Sequence, residues 1–172
     1  VLVDLANETR LAYNEPLLTR STLLDQAAQL KGEDMSNRGY FSHDSPDGIT
    51  PWYWFDEVGY VFTYAGENLA VNFFESKEVQ NAWLNSPKHR DNLLNKNFKE
   101  IGIATVEGMY KNAPTIFVVQ MFGSPASVKA ATKIKTATST SQQQDRTATT
   151  SSGTLAIAET TSEVKGDSKE TM

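Results

Sequence analysis

The stretch SPKHRDNLL (residues 86–94) contains both the end of one helix and the start of another. Pro87 cannot continue the hydrogen-bond ladder of a helix that Ser76 is predicted to cap, so that helix must stop before it. Ser86 can then cap a second helix, with Pro87 at its first position and His89 at its third. The pattern predicts two short consecutive helices, with His89 in the first turn of the second.

Three more helices are predicted upstream of this junction. Apolar residues recur at helical spacing over residues 1–14, and a second helix runs from about Thr22, where Thr22 and Asp25 resemble a capping box, to residues 37–39. A third, short helix has Thr50 as its N-cap and Pro51 as its first residue, and Gly59 closes it. The buried side of the second helix is predicted to contain Leu24, Ala27, Ala28, Lys31 and Met35.

Three extended segments complete the predicted fold. Gly66 permits close backbone approach just before Glu67, which we place at the start of a short extended segment. The segments EIGIATVE (100–107) and PTIFVVQMFG (114–123) are typical of strands, and GMYKNA (108–113) suits an antiparallel hairpin connection. Helices before and after a small antiparallel sheet predict an α+β layered domain.

The composition divides the 172-residue chain into two parts. Every Phe, Trp and Tyr lies at or before Phe122, so residues 1–123 are predicted to form one domain. Residues 124–172 are rich in Ala, Thr, Ser, Gln and Lys, and contain too little apolar surface to offset the entropy of ordering. We expect them to be a low-complexity disordered tail, tether or linker.

Charge and composition exclude several classes of function. The first 123 residues carry 10 basic and 16 acidic side chains and show no basic face, so nucleic acid is not expected as a partner. The absence of cysteine excludes disulfides, thiolate nucleophiles and cysteine zinc sites. Because the chain opens without an initiator Met or a signal-peptide pattern, we expect it to be a fragment or a processed form.

The chain has only two histidines, and each has an ordinary alternative. His43 lies in a loop dense in turn formers, where it could be an exposed residue bonded to a nearby aspartate, and His89 could be a solvated residue of a helix start. Glu67 differs, because its neighbours are apolar or small and a carboxylate there must be paired or reach a cavity. Two histidines and one carboxylate suffice for a metal site with an open position, although the spacing alone does not join them.

Five motifs in register resemble the bacterial branch of the CAP superfamily, also called the SCP domain, whose members include cysteine-rich secretory, antigen 5 and pathogenesis-related proteins. The motifs span residues 2–123 and are FSHDSPDGITP, AGENLA, AWLNSPKHRDNLL, FKEIGIA and VVQMFG. The resemblance implies a three-layer α-β-α sandwich with a cavity lined by two histidines and acidic residues. It also implies zinc or another divalent cation as cofactor, with His43 and His89 as ligands beside Glu67.

The resemblance also assigns supporting residues and shows one departure. Eukaryotic relatives carry a second glutamate shortly after the tryptophan that Trp83 matches, and Ser86 occupies the nearest place in this chain. Ser86 is therefore a cavity residue that is also explained as a helix cap. Asn68, Arg90 and Asn92 complete the family patterns and are expected to support the cavity, the arginine by forking onto a carboxylate and the asparagines by satisfying backbone groups.

Three functions remain open on the sequence. The first is an exported or cell-surface binding module for a small-molecule, lipid or cell-surface ligand, expected to be a monomer and tethered to the membrane, if at all, outside the given segment. The second is a metal-assisted, peptidase-like hydrolase in which Glu67 is the general base and His43 and His89 hold the metal. The third is a structural module that the tail tethers and that has no ligand.

Overall fold

The computed structural model describes residues 1–126 and the short strand Glu163–Lys165. Five helices and five strands occur in these residues. In chain order they are α1 (Leu2–Ala12), β1 (Thr19–Arg20), α2 (Thr22–Arg38), α3 (Trp52–Glu57), β2 (Phe62–Val71), α4 (Ser76–Asn85), α5 (Pro87–Leu93), β3 (Glu100–Tyr110), β4 (Ala113–Pro125) and β5 (Glu163–Lys165).

The strands form one sheet in the order β1-β3-β4-β2-β5. The long strands β3, β4 and β2 are antiparallel neighbours, as predicted, whereas the short strands β1 and β5 are parallel to β3 and β2. The β3–β4 hairpin turns at Lys111 and Asn112, which both have positive φ (51° and 65°). Two such residues are typical of the type I′ turn, whose twist matches that of the flanking strands.

Helices cover both faces of the sheet, which confirms the predicted α-β-α sandwich. On one face, α2 and α3 bury a core that includes Leu24, Met35, Phe55, Leu69, Val119 and Met121. On the other face, α1, α4 and α5 bury Ala6, Trp83, Leu93, Ala70, Val118 and Phe122. Along β4, residues 118 and 122 face one layer while residues 117, 119 and 121 face the other, because side chains alternate along a strand.

The predicted capping box at the start of α2 is wrong. The N-cap is Ser21, one residue earlier, and its side chain makes no capping hydrogen bond. The carboxylate of Asp25 accepts instead from Nε of Arg20 (2.8 Å) and from the backbone N–H of Ile103 (2.8 Å). Asp25 therefore joins α2 to the sheet, a role that local spacing does not reveal.

Two further helix starts differ by one residue from the prediction. Pro51 is the N-cap of α3, which begins at Trp52, so Thr50 is not the cap. Glu75 is the N-cap of α4, and Ser76 is its first helical residue. The predicted closures at Gly39 and Gly59 are confirmed, since both glycines follow their helices with positive φ (67° and 71°).

Glu67 lies within the ten-residue strand β2 rather than at the start of a short extended segment. Strand β2 pairs with the antiparallel strand β4, and Glu67 lies opposite Met121 in this pairing. Strand β4 continues to Pro125, two residues past the predicted end of the domain. Of the tail predicted for residues 124–172, the structure describes residues 124–126 and β5. The rest of that prediction lies outside the described residues.

No helix in the described residues combines the length and the apolar character that a bilayer crossing requires.

Candidate functional site

Strand β2 presents Glu67 and Asn68 to opposite faces of the sheet. Glu67 lies on the same side of the strand as Leu69, on the face that α2 and α3 cover, whereas Asn68 lies on the same side as Ala70, on the face of α1, α4 and α5. Gly66 precedes them, and a Cβ there would lie 2.6 Å from the ring of Phe98. The predicted close approach before Glu67 is therefore real, and only glycine permits it.

His43 reaches Glu67 from the loop after α2. Its Nδ1 lies 2.6 Å from Oε1 of Glu67, and the exposed fractions of the two residues are only 5% and 1%. Because a carboxylate can only accept, Nδ1–H is the donor of this charge-assisted hydrogen bond. The other carboxylate oxygen, Oε2, is buried and accepts no hydrogen bond from the residues that the structure describes.

The loop that holds His43 is shaped by its own turn. The hydroxyl of Ser45 accepts from the backbone N–H of Ile49 (3.1 Å), and the backbone N–H of Ser45 donates to the carbonyl of Ile49 (2.9 Å). Gly48 supplies positive φ (79°) within the turn. The turn formers of the motif thus bring the chain back toward the sheet directly after His43.

Lys31 is a buried cation beside this pair. Its Nζ donates to the backbone carbonyl of His43 (2.6 Å) and to the hydroxyl of Tyr40 (3.1 Å), and the residue is 0% exposed. Burial lowers the pKa of Lys31, and the nearby carboxylate of Glu67 opposes that shift. The sequence placed Lys31 on the buried side of α2 but did not assign it to the site.

His89 lies on α5 and is buried (0% exposed). Ser86 is the N-cap of α5 with Pro87 at the first position, as predicted. The Ser86 hydroxyl makes no capping bond to the backbone; it lies 2.7 Å from Nδ1 of His89. Ser86 therefore orients the imidazole, which a capping role alone does not predict.

Buried amides connect the two histidine regions. The side-chain amide of Asn92 donates to the carbonyl of Glu67 (3.0 Å) and to Oδ1 of Asn68 (2.9 Å). The amide of Asn68 donates to the carbonyl of His89 (3.3 Å) and to Oε1 of Gln120 (3.0 Å). The asparagines satisfy backbone oxygens, as the motif predicted. Gln120 is an additional member of this network of buried amides.

The predicted residues thus meet around one dipeptide. His43 bonds to the side chain of Glu67 from one face, and the backbone of His89 is held by Asn68 from the other. Arg90 is half-buried and forms no ion pair with the described residues, so its expected fork onto a carboxylate is absent there. His43, Glu67 and His89 are all buried.

A resident metal ion would need about three protein side chains grouped as its ligands. Within residues 1–126, no three or more His, Asp or Glu side chains are grouped so that they could hold one. His43 and Glu67 bond to each other instead, with Nδ1 and Oε1 both used in that contact. The arrangement does not fit a preformed three-ligand metal site.

The sequence profile of the cysteine-rich secretory protein family, CAP, matches residues 3–122. The chain belongs to the CAP family. The match covers the helical layers, the three long strands except the last residues of β4, and all the candidate residues. It confirms the resemblance carried by the five sequence motifs.

Relatives of this CAP domain occur in several bacteria. The uncharacterized protein YkwD of Bacillus subtilis is 37% identical over 106 residues, which are 62% of this chain and 41% of YkwD. An extracellular protein containing an SCP domain from Bacillus anthracis is 34% identical with a TM-score of 0.61, over 71% of this chain and 38% of that one. An outer surface protein of Borrelia burgdorferi is 28% identical with a TM-score of 0.62, over 73% of this chain and 90% of that one.

The chain spans less than half of the length of YkwD and of the Bacillus anthracis protein. What the remaining parts of those proteins do is therefore not a property of the CAP domain described here.

Two residues of the site, Lys31 and Gln120, were not predicted from the sequence, although the polarity of each is unusual for its position. Lys31 stood alone as a charged residue on the buried side of α2, and Gln120 interrupts an otherwise apolar central strand. A polar residue at a position that periodicity assigns to the core must find a buried partner. Such mismatches are a usable signal for residues that support a site.

Proposed function

We propose that this chain is an extracellular or cell-surface CAP domain that binds a ligand at a site built on His43, Glu67 and His89, with Ser86 beside it. Its ligand is a small molecule, a lipid or a cell-surface component. The location is proposed by analogy with the extracellular protein of Bacillus anthracis and the outer surface protein of Borrelia burgdorferi. We further propose a monomer, with any membrane tether outside the given segment.

The burial of Glu67 carries this proposal. A carboxylate that is 1% exposed has lost its hydration, and only one of its oxygens is hydrogen-bonded among the described residues. Such groups cost stability unless they are paired, and they concentrate at functional sites. A purely structural module would gain stability from an apolar side chain at this position, so retention of Glu67 favours a binding role.

A divalent cation such as zinc is the first ligand to test, since imidazole and carboxylate are its usual protein donors. The three residues do not form a preformed metal site, and a cation would have to displace the hydrogen bond between His43 and Glu67. We therefore expect weak binding that depends on Glu67, not a permanently held ion.

The experiment measures Zn²⁺ binding to the full chain by calorimetry, with Glu67→Gln as the test variant. Glu8→Gln is the matched control, because Glu8 is an exposed carboxylate on α1. We expect saturable binding that Glu67→Gln reduces at least tenfold and Glu8→Gln leaves unchanged. Absence of saturable binding by the wild-type chain, or equal binding by both variants, would overturn the cation as ligand.

The alternative is a hydrolase that uses the same residues with Glu67 as general base. No observation on the described residues favours it over a binding module. The same two variants, assayed on peptide, ester and peptidoglycan substrates with and without chelator, separate the two functions. Turnover that is lost in Glu67→Gln and kept in Glu8→Gln would replace the binding proposal with an enzymatic one.

A further inference from the structure

Lys31 makes contacts that an ordinary core residue does not make. Its side chain crosses from α2 to the loop after that helix, where Nζ donates to the carbonyl of His43 (2.6 Å) and to the hydroxyl of Tyr40 (3.1 Å). The ammonium also lies 4.8 Å from the centre of the Tyr40 ring. A 0% exposed lysine with these partners has exchanged water for one carbonyl, one hydroxyl and one aromatic face.

This arrangement is costly for a structural purpose. An ammonium is strongly hydrated, so its burial has a large desolvation cost, and the replacement of a whole buried ion pair by well-packed apolar side chains is often neutral or stabilising. The other buried residues of α2 are small or apolar, namely Leu24, Ala27, Ala28, Gly32 and Met35.

The contacts of Lys31 fix the loop at His43, the residue that bonds to Glu67. His43 is held at both ends, since its backbone carbonyl accepts from Lys31 while its Nδ1 bonds to Glu67. The ring is therefore fixed between α2 and β2. Elsewhere the loop has separate anchors, because Tyr40 bonds to Asp34 and the guanidinium of Arg38 bonds to Asp47.

We infer that Lys31 is a positioning residue for His43, and that its ammonium sets the backbone of the loop so that the imidazole faces Glu67. The importance of this role for ligand binding rests on the proposed function. The geometry of the pair in the free protein does not rest on it, so the inference can be tested without any ligand.

The test observes the Nδ1 proton of His43 by NMR in the full chain at low temperature and one fixed pH. A proton in a 2.6 Å bond to a carboxylate resonates far downfield of an ordinary imidazole proton, and its loss in His43→Gln assigns it. The test variant is Lys31→Met. The matched control is Arg38→Met, which removes a different cation of α2, one that forms ion pairs with Asp34 and with Asp47 of the same loop.

We expect the downfield signal to disappear or move strongly upfield in folded Lys31→Met and to persist in Arg38→Met. An unshifted signal in folded Lys31→Met would overturn the inference, and so would equal loss in both variants, which would indicate general anchoring of the loop. If Lys31→Met does not fold, Lys31→Gln is read in the same way; if neither folds, Lys31 is a folding residue and the positioning role is withdrawn. Failure of the wild-type chain to bind Zn²⁺ would count against the cation as ligand and not against the positioning role, since the NMR result does not depend on Zn²⁺ binding.

Discussion

At the scale of single residues, the site is a set of buried polar groups that satisfy one another. Asn92 connects both residues of the central dipeptide, because its side-chain amide donates to the backbone of Glu67 and to the side chain of Asn68. Neither acceptor can reach bulk water, since Glu67 and Asn68 are 1% and 0% exposed. The stability of this region therefore depends on donors that no other described residue is placed to replace.

Asn92→Asp replaces these donors with a carboxylate that faces two oxygen acceptors. We expect the free energy of unfolding to fall by about 2–4 kcal/mol, because buried acceptors lose their partners and a buried charge is added. Urea denaturation measures the loss, and Asn81→Asp on the exposed side of α4 is the control. A loss no larger than that of the control would show that the amide network contributes nothing to stability.

Tyr60 predicts a pH dependence at the alkaline end. Burial raises its pKa, and its hydrogen bond to Glu100 (2.8 Å) raises it further. Above about pH 10 the unfolded chain releases this proton while the folded chain retains it, so the unfolding free energy falls as pH rises. In Tyr60→Phe this contribution is absent, and the stability difference from the wild type should shrink as pH is raised through about 10.

Urea denaturation of the wild type and of Tyr60→Phe at several pH values measures this stability difference. Tyr13→Phe is the control, because it removes the hydroxyl of a tyrosine that is 53% exposed. A difference between wild type and Tyr60→Phe that stays constant across this range would contradict the prediction.

At the scale of elements, α2 and β3 approach so closely that the contact requires glycine. A Cβ on Gly102 would lie 2.1 Å from the backbone carbon of Leu24 and 2.3 Å from the backbone nitrogen of Asp25. Backbone atoms of a helix cannot rotate away as a side chain can. The register of α2 on the sheet is therefore fixed at Gly102, beside the Asp25 bond to Ile103.

Gly102→Ala should displace α2 from the sheet. We expect a loss of about 3 kcal/mol or more, at the upper end for overpacked cores. Gly39→Ala is the comparison, since Gly39 has open space around it and only a positive φ, so it should cost about 1 kcal/mol. Chemical denaturation midpoints measure both, and a smaller loss for Gly102→Ala than for Gly39→Ala would contradict this account.

The same elements show how far the sequence leads. Periodicity and turn residues predicted the five helices and the β3–β4 hairpin, because those signals are local. The N-cap of α2 was misplaced by one residue, because Asp25 bonds to Ile103, 78 positions away, and local spacing cannot reveal such a partner. The site followed the same rule: the motifs identified His43, Glu67 and His89, whereas Lys31 was missed because its role appears only when the loop folds back on α2.

At the scale of the whole molecule, the two apolar cores come from the first 122 residues. Both contain helices and strands drawn from across that segment, and among the described residues neither includes one beyond Phe122. Strand β5 contributes three backbone pairs to the edge of β2. The stability of the domain is thus expected to arise within residues 1–126.

A chain that ends at Ala126 should fold with nearly the stability of the full chain. We expect a difference within about 0.5 kcal/mol, since an edge pairing of three residues adds little to two complete cores. Urea denaturation of both chains measures this difference. A loss well beyond 1 kcal/mol would show that Glu163–Lys165 is an integral strand of the domain.

The alternation of Glu67 and Asn68 on β2 also bears on how the protein matures. The loop after α2 supplies one histidine and α5 supplies the other, and the two arrive on opposite sides of the sheet. An intermediate in which only one helical layer has docked therefore holds half of the constellation and exposes the other half to water. The proposed ligand site would therefore be complete only in molecules in which both helical layers have docked on the sheet.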